Sequence, residues 1–93
     1  LAAETQRLTA TIMGEVQAVG FRYWARGQAE ELGLTGSATN NADGSVALVA
    51  EGLTSGLNEL LRRIRSGDSP GRVDHVDATV EEASGGCAGF ECL

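Results

Sequence analysis

Lysine is missing altogether. All seven basic side chains among the 93 residues are arginines, which excludes a Walker-type phosphate lysine, a Schiff-base lysine and any lysine nucleophile. The single histidine, His75, cannot build a histidine-rich metal site, and two cysteines, Cys87 and Cys92, cannot build a zinc finger. Aromatics are few: Phe21, Tyr23, Trp24 and Phe90. With thirteen acids against seven bases and a net charge of −6, nucleic acid is a poor partner. No window approaches the ~18 apolar residues that a membrane helix needs, and Leu1-Ala2-Ala3-Glu4 lacks the regions of a signal peptide. So short a chain has room for one core. The expectation is a small cytoplasmic protein, with residues 1–6 a tail and residues 7–93 the folded unit. Without an export signal the two cysteines read as reduced thiols, although their spacing also allows a local disulfide.

What is present reads as alternating strands and helices. Leu8, Ala10 and Ile12 alternate with Thr9, Thr11 and Met13, the period of a half-buried strand, which Gly14 is expected to end. Phe21, Ala25, Ala29 and Leu32 form one apolar helical stripe, with Gly33 placed to close the helix. Val46, Leu48 and Ala50, with Ala47 and Val49 between them, are apolar on both sides and suit a central strand. The turn Asn41-Ala42-Asp43-Gly44 before it requires a partner, which makes Thr35–Asn40 a strand despite its weak propensity. Leu57, Leu60, Leu61 and Ile64 mark a second helix, for which Thr54 or Ser55 is the expected cap. Arg62, Arg63 and Arg65 suit its C-terminal dipole and read as a solvated basic end. Val76, Ala78 and Val80 give a fourth strand, Gly85-Gly86 a loop, and Phe90 and Cys92 one face of a last short strand. The order β-α-β-β-α-β specifies an α+β, ferredoxin-like sandwich: an antiparallel sheet with two helices on one face. The apolar side chains suffice for one sheet–helix interface, so the other face is expected to be solvated or to lie against a partner.

Between the first strand and the first helix runs Gly14-Glu15-Val16-Gln17-Ala18-Val19-Gly20-Phe21-Arg22. A turn of main-chain N–H groups leading into a helix N-terminus gathers donors and partial positive charge, which suits an anion. Arg22 in the first turn adds a planar fork for two-point contact with a tetrahedral oxyanion. By spacing alone this is either a cradle for phosphate, sulfate or carboxylate, or an ordinary turn with a surface arginine.

GEVQAVGFR resembles the acylphosphatase signature G-x-V-Q-G-V-x-F-R, and GSATNNADGSV resembles that family's second block, G-(aromatic)-(small)-x-N-x-x-x-G-x-V. LGLTG links the two, LLRRIRSGDSPGRVDHV is similar to the second helix and fourth strand, and GFEC to the closing segment, so nearly the whole chain is covered. The resemblance implies the same ferredoxin-like fold and hydrolysis of acyl phosphates to a carboxylate and inorganic phosphate. It implies Arg22 and Asn40 as catalytic residues, with the main-chain amides of Glu15, Val16, Gln17, Ala18, Val19 and Gly20 as the phosphate cradle. Neither a metal nor a cofactor is implied. The expected partners are a small acyl phosphate and inorganic phosphate as product and inhibitor, with no nucleic acid or membrane, and the enzyme is expected to be a monomer.

Two positions depart from the family pattern. Ala18 stands where glycine is usual in the cradle; a negative φ is expected there, because alanine also presents an N–H and Gly20 permits the tight passage into the helix. Ser37 stands where an aromatic is usual, which should loosen packing near the second strand. Asn41 adjoins the expected catalytic Asn40 and is expected to tolerate alanine. Three rival readings stand beside it: a non-catalytic anion-binding module, a domain of a larger hydrogenase-maturation or carbamoyl-transfer protein, and a metal-carrying module. The last lacks a Cys-x-x-Cys in the first loop. His75 reads as a lone surface histidine.

Overall fold

A computed structural model describes residues 5–83 and 89–92. The elements follow in the order β1 (Thr5–Glu15), α1 (Phe21–Glu31), β2 (Thr35–Asn40), β3 (Val46–Leu53), α2 (Thr54–Arg65), β4 (Arg72–Glu82) and β5 (Phe90–Cys92). They build one sheet in the order β4-β1-β3-β2-β5, antiparallel except for β5, which runs parallel to β2. Thr5 and Gln6, assigned to the tail by sequence, already pair with Leu53 and Gly52. Gly85-Gly86 and the Cys87 side of any disulfide fall outside the described residues.

The period-2 pattern decides the two faces of the sheet. Leu8, Ala10 and Ile12 of β1 stand opposite Ala50, Leu48 and Val46 of β3, and all six are buried. Above this face α1 lays Phe21, Ala25 and Ala29, and α2 lays Leu57, Leu60 and Ile64, so both helices share one core with the strands. Each of the larger apolar side chains contributes about 1.5–3 kcal/mol by leaving water. Truncating one of them, as in Leu60→Ala, should cost about 2–5 kcal/mol. The opposite face carries Arg7, Thr11, Thr39, Val49 and Thr79, partly or fully exposed. Ser37 lies there too, half-buried beside Val49, so the missing aromatic leaves the helix-side core untouched.

Three local expectations need correction. Gly14 does not end β1; the strand passes through a register shift at Met13/Gly14 and continues opposite Val73 and Arg72. A Cβ at Gly14 would run into the Arg72 carbonyl and φ is +136° there, so only glycine lets the two backbones approach so closely. Neither Thr54 nor Ser55 caps α2, because Leu53 occupies the N-cap position. The Thr54 hydroxyl instead donates to Gln6 Oε1 at 2.8 Å, tying the helix start to β1. The third correction concerns Ala18 and belongs to the site.

Candidate active site

Sequence and register bring two segments to the same end of the sheet. Asn40, Val46, Ile12 and Val76 form one cross-strand row on the helix side, and β1 leaves that row towards Gly14 and the loop of residues 15–20. Asn40 closes β2 on the same face as buried Ala38, but its own side chain is exposed. Beside Ala38 lies Cys92 of β5, whose thiol donates to the main-chain carbonyl of Arg22 at 3.4 Å. The end of β2 and the first turn of α1 are therefore neighbours.

The loop itself is tightly turned. Ala18 has φ +60° and Gly20 has φ +88°, with Gly20 as the left-handed N-cap of α1. The negative φ expected at Ala18 is thus overturned. An L-residue in this region pays about 1–2 kcal/mol, because Cβ crowds the following carbonyl. Left-handed residues in a loop are how successive N–H groups come to point the same way. Underneath, the start of β4 braces the turn: a Cβ on Gly71 would strike the Glu15 carbonyl and Val19, and φ is +77° at Gly71. Arg72 holds Asp74 at 2.7 Å and reaches Glu15 at 3.4 Å.

The helix that follows is left open at its N-terminus. Among the described residues no side chain caps α1, its first turn contains no acid, and Trp24 N–H donates to Gly20 O at 3.0 Å. The first amides of any α-helix have no acceptor one turn back, so the start of α1 carries the positive end of the helix dipole. A hollow of about 140 Å³ lies here, lined by Val16, Ala18, Gly20, Phe21, Arg22 and Tyr23. The Arg22 guanidinium, half-buried, sits 5.8 Å from the centre of the Tyr23 ring, an aromatic face that favours a cation. The arrangement can bind a tetrahedral anion through main-chain donors and one fixed arginine.

Opposite the loop, the β2–β3 turn is held by its own bonds. Asn41 N–H donates to Ser45 O at 2.8 Å, Asn41 Nδ2 to Ser45 Oγ at 2.9 Å, and Ser45 N–H and Oγ to Asp43 Oδ1 at 3.0 and 2.6 Å. The Ser45 hydroxyl bond is the main cause that lowers the Asp43 carboxyl below the usual range. Asn41 is thus a turn-forming residue. Gln17 crosses from the loop to this turn, its Nε2 donating to Asn41 O at 2.7 Å and Ser45 O at 2.9 Å. Sequence reading takes only the main-chain amide of Gln17 for the site; its place inside the GEVQAVGFR block is the one signal for its side chain.

The acylphosphatase family model matches residues 8–92. The chain belongs to the acylphosphatase family. It is 52% identical to an acylphosphatase of Thermobifida fusca over 88 residues, covering 95% of this chain and 97% of that one. Against an acylphosphatase of Arthrobacter it is 50% identical over 92 residues, covering 99% of this chain and 84% of the relative. The crystal structure of acylphosphatase from Bacillus subtilis superposes with a TM-score of 0.88 at 29% identity, covering 95% of this chain and 98% of that chain. The family's ferredoxin-like sandwich is the fold found here. Among the described residues no helix is long and apolar enough to cross a membrane.

A larger hollow lies elsewhere among the described residues. About 500 Å³ in volume, it is lined by Asn58, Leu61, Arg62, Arg65 and Ser66 at the end of α2. Arg62 there is bound by Glu59 at 2.6 Å, and neighbouring Arg63 by Glu59 at 2.8 Å and Glu31 at 3.1 Å. Those arginines neutralise acids of the two helices, as a solvated basic helix end should.

Proposed function

We propose that this chain hydrolyses acyl phosphates to a carboxylate and inorganic phosphate, with Arg22 and the amides of residues 15–20 holding the phosphoryl oxygens and Asn40 holding the attacking water. The observation that carries this reading is the left-handed loop at residues 18 and 20 that opens onto the start of α1, with Arg22 in the first turn of that helix. An anion placed there meets oriented N–H groups and a guanidinium with no carboxylate of that helix turn to repel it.

The chemistry suits so spare a set of groups. The water oxygen bonds to phosphorus as the bond from phosphorus to the acyl oxygen breaks, and the water proton passes to a phosphoryl oxygen. The leaving carboxylate has a pKa near ~4 and departs without a proton, so no general acid is called for. Phosphoryl transfer is loose and in-line, leaving positioning and charge stabilisation as the main tasks. An amide side chain such as that of Asn40 can both accept from and donate to water, which is what orienting it requires. A monomeric enzyme in a cytoplasmic setting completes the reading.

The test is hydrolysis of an aromatic acyl phosphate in the presence of chelator. Full turnover, little activity on alkyl phosphate monoesters and competitive inhibition by inorganic phosphate are expected. Turnover that depends on added divalent metal, or equal activity on monoesters, would contradict the mechanism.

A further inference from the structure

Among the described residues, Gln17 is the one side chain that spans from the anion loop to the turn following Asn40. Both of its amide hydrogens are used, at 2.7 Å to Asn41 O and 2.9 Å to Ser45 O. Because both partners are carbonyl oxygens, the amide nitrogen must face them. The turn does not need these bonds to close. Ser45 O already accepts from Asn41 N–H at 2.8 Å, Asn41 O already accepts from Gly44 N–H at 3.2 Å, and Asp43 and Asn41 hold Ser45 through their side chains. Each carbonyl takes Gln17 on its second lone pair. What the side chain adds is the placement of a preformed turn against the loop.

That placement bears on chemistry, since Asn40 is directly bonded to Asn41 and pairs with Val46 just beyond Ser45. In an in-line displacement, the water held by one segment must lie on the axis of the bond to the phosphorus held by the other. A displacement of about 1 Å between two such groups can cost on the order of 10²-fold in rate. We propose that Gln17 is a positioning residue whose side-chain amide sets the location of Asn40 relative to the bound phosphoryl group. The proposal rests on the roles given above to the loop and to Asn40. It assigns Gln17 no contact with the substrate through its side chain.

The experiment compares kcat on an aromatic acyl phosphate, and the inhibition constant of inorganic phosphate, for Gln17→Ala, Asn40→Ala and the double variant. Gln17→Ala should lower kcat roughly 10–100-fold while phosphate inhibition stays within about threefold. In the Asn40→Ala background the same change should lower the remaining kcat by less than about twofold, since no water-holding group is left to position. Gln17→Met keeps the length of the side chain and removes both donors, and it carries the same test if the alanine variant does not fold at the assay temperature. A phosphate affinity that falls as far as kcat would overturn the proposal, for Gln17 would then be holding the cradle itself. So would equal factors in the two backgrounds. Should Asn40→Ala keep full turnover, the underlying reading of Asn40 fails and the proposal falls with it, an outcome distinct from the other two.

Discussion

The two strand-to-helix junctions of this molecule are built from similar parts and take different shapes. β1 ends at Glu15 and α1 begins at Phe21, with residues 16–20 between them, whereas β3 ends at Leu53 and α2 begins at Thr54, with none. Among the described residues neither helix has a side-chain cap. At α2 the first helical residue turns its hydroxyl to Gln6 on β1, and the chain runs straight from strand to helix. At α1 the inserted loop turns through left-handed residues at 18 and 20 and opens a hollow over the helix N-terminus. The arginines divide the same way. Arg22 stands in the first turn of α1 with no acid in that turn, while Arg62 and Arg63 in the last turn of α2 grip Glu59 and hold its carboxyl down at about 2. Since neither helix has an acid in its first turn, what sets the α1 junction apart is the inserted left-handed loop and the arginine in the turn that follows it.

The sharpest way to break this contrast is to remove the arginine from each place. Arg22→Ala should lower kcat/KM by about 10²–10³-fold or more, the scale for losing one charge-stabilising donor. Arg22→Lys should not restore it, because a point charge lacks the two-pronged geometry. Arg65→Ala, at the larger hollow, should leave kcat/KM within about twofold. Steady-state kinetics on one acyl phosphate settles all three.

Beneath the loop, Gly71→Ala forces a Cβ into the Glu15 carbonyl at a left-handed backbone position. The conformational cost alone is about 1–2 kcal/mol, so thermal unfolding should fall by roughly 4–8 °C or more and phosphate inhibition should weaken as the loop shifts. The equivalent substitution at Gly67, where a Cβ would meet nothing within 4 Å although φ is +88°, should lower the melting temperature without touching phosphate inhibition.

A smaller effect of opposite sign is expected at Ala18. Glycine there relieves about 1–2 kcal/mol of strain and returns about 0.4–1 kcal/mol as freedom of the unfolded chain. The melting temperature should rise by a few degrees with kcat/KM changed less than about tenfold. A fall in melting temperature would mean that φ at Ala18 is not left-handed in solution.

The smallest effect belongs to α2. Glu59 is lowered from the ordinary 4.5 to about 2, chiefly by its hydrogen bond with Arg62 and then by that with Arg63. A depressed carboxyl stabilises the fold above its unfolded pKa and loses that contribution as pH falls through the folded value. Glu59→Gln should therefore melt slightly below wild type at pH 7, and the gap should close between pH 4.5 and about 2. Its phosphate inhibition should not change at any pH in that window.

Much of this was readable from residues alone, for reasons that differ by element. The stripes Phe21-Ala25-Ala29 and Leu57-Leu60-Ile64 declare their helices because burial on one side demands that period. Thr35–Asn40 has little propensity of its own; it is a strand because β3 and β5 lie on either side of it, and the turn at Asn41 was the only local sign. The spacing of the second block points to Asn40 and not Asn41 as the expected catalytic amide; in the fold Asn40 ends the strand and Asn41 lies in the turn. The misses share a cause. The bulge at Gly14, the diverted hydroxyl of Thr54 and the reach of Gln17 are each set by a backbone far away in sequence, on β4, on β1 and in the β2–β3 turn. Ala18 is a different kind of miss, since the family's usual glycine at that place already signalled a positive φ.

The central claim is that the β1–α1 junction, and not the α2 terminus, is where a phosphate group binds. Titrating the 15N-labelled protein with inorganic phosphate and following main-chain amide shifts tests it directly. The account predicts saturable shifts concentrated in residues 15–23 and at Asn40, with the α2 amides from Arg62 to Ser66 unmoved. Shifts centred on Arg62, Arg65 and Ser66, with the residues of the loop unchanged, would contradict it.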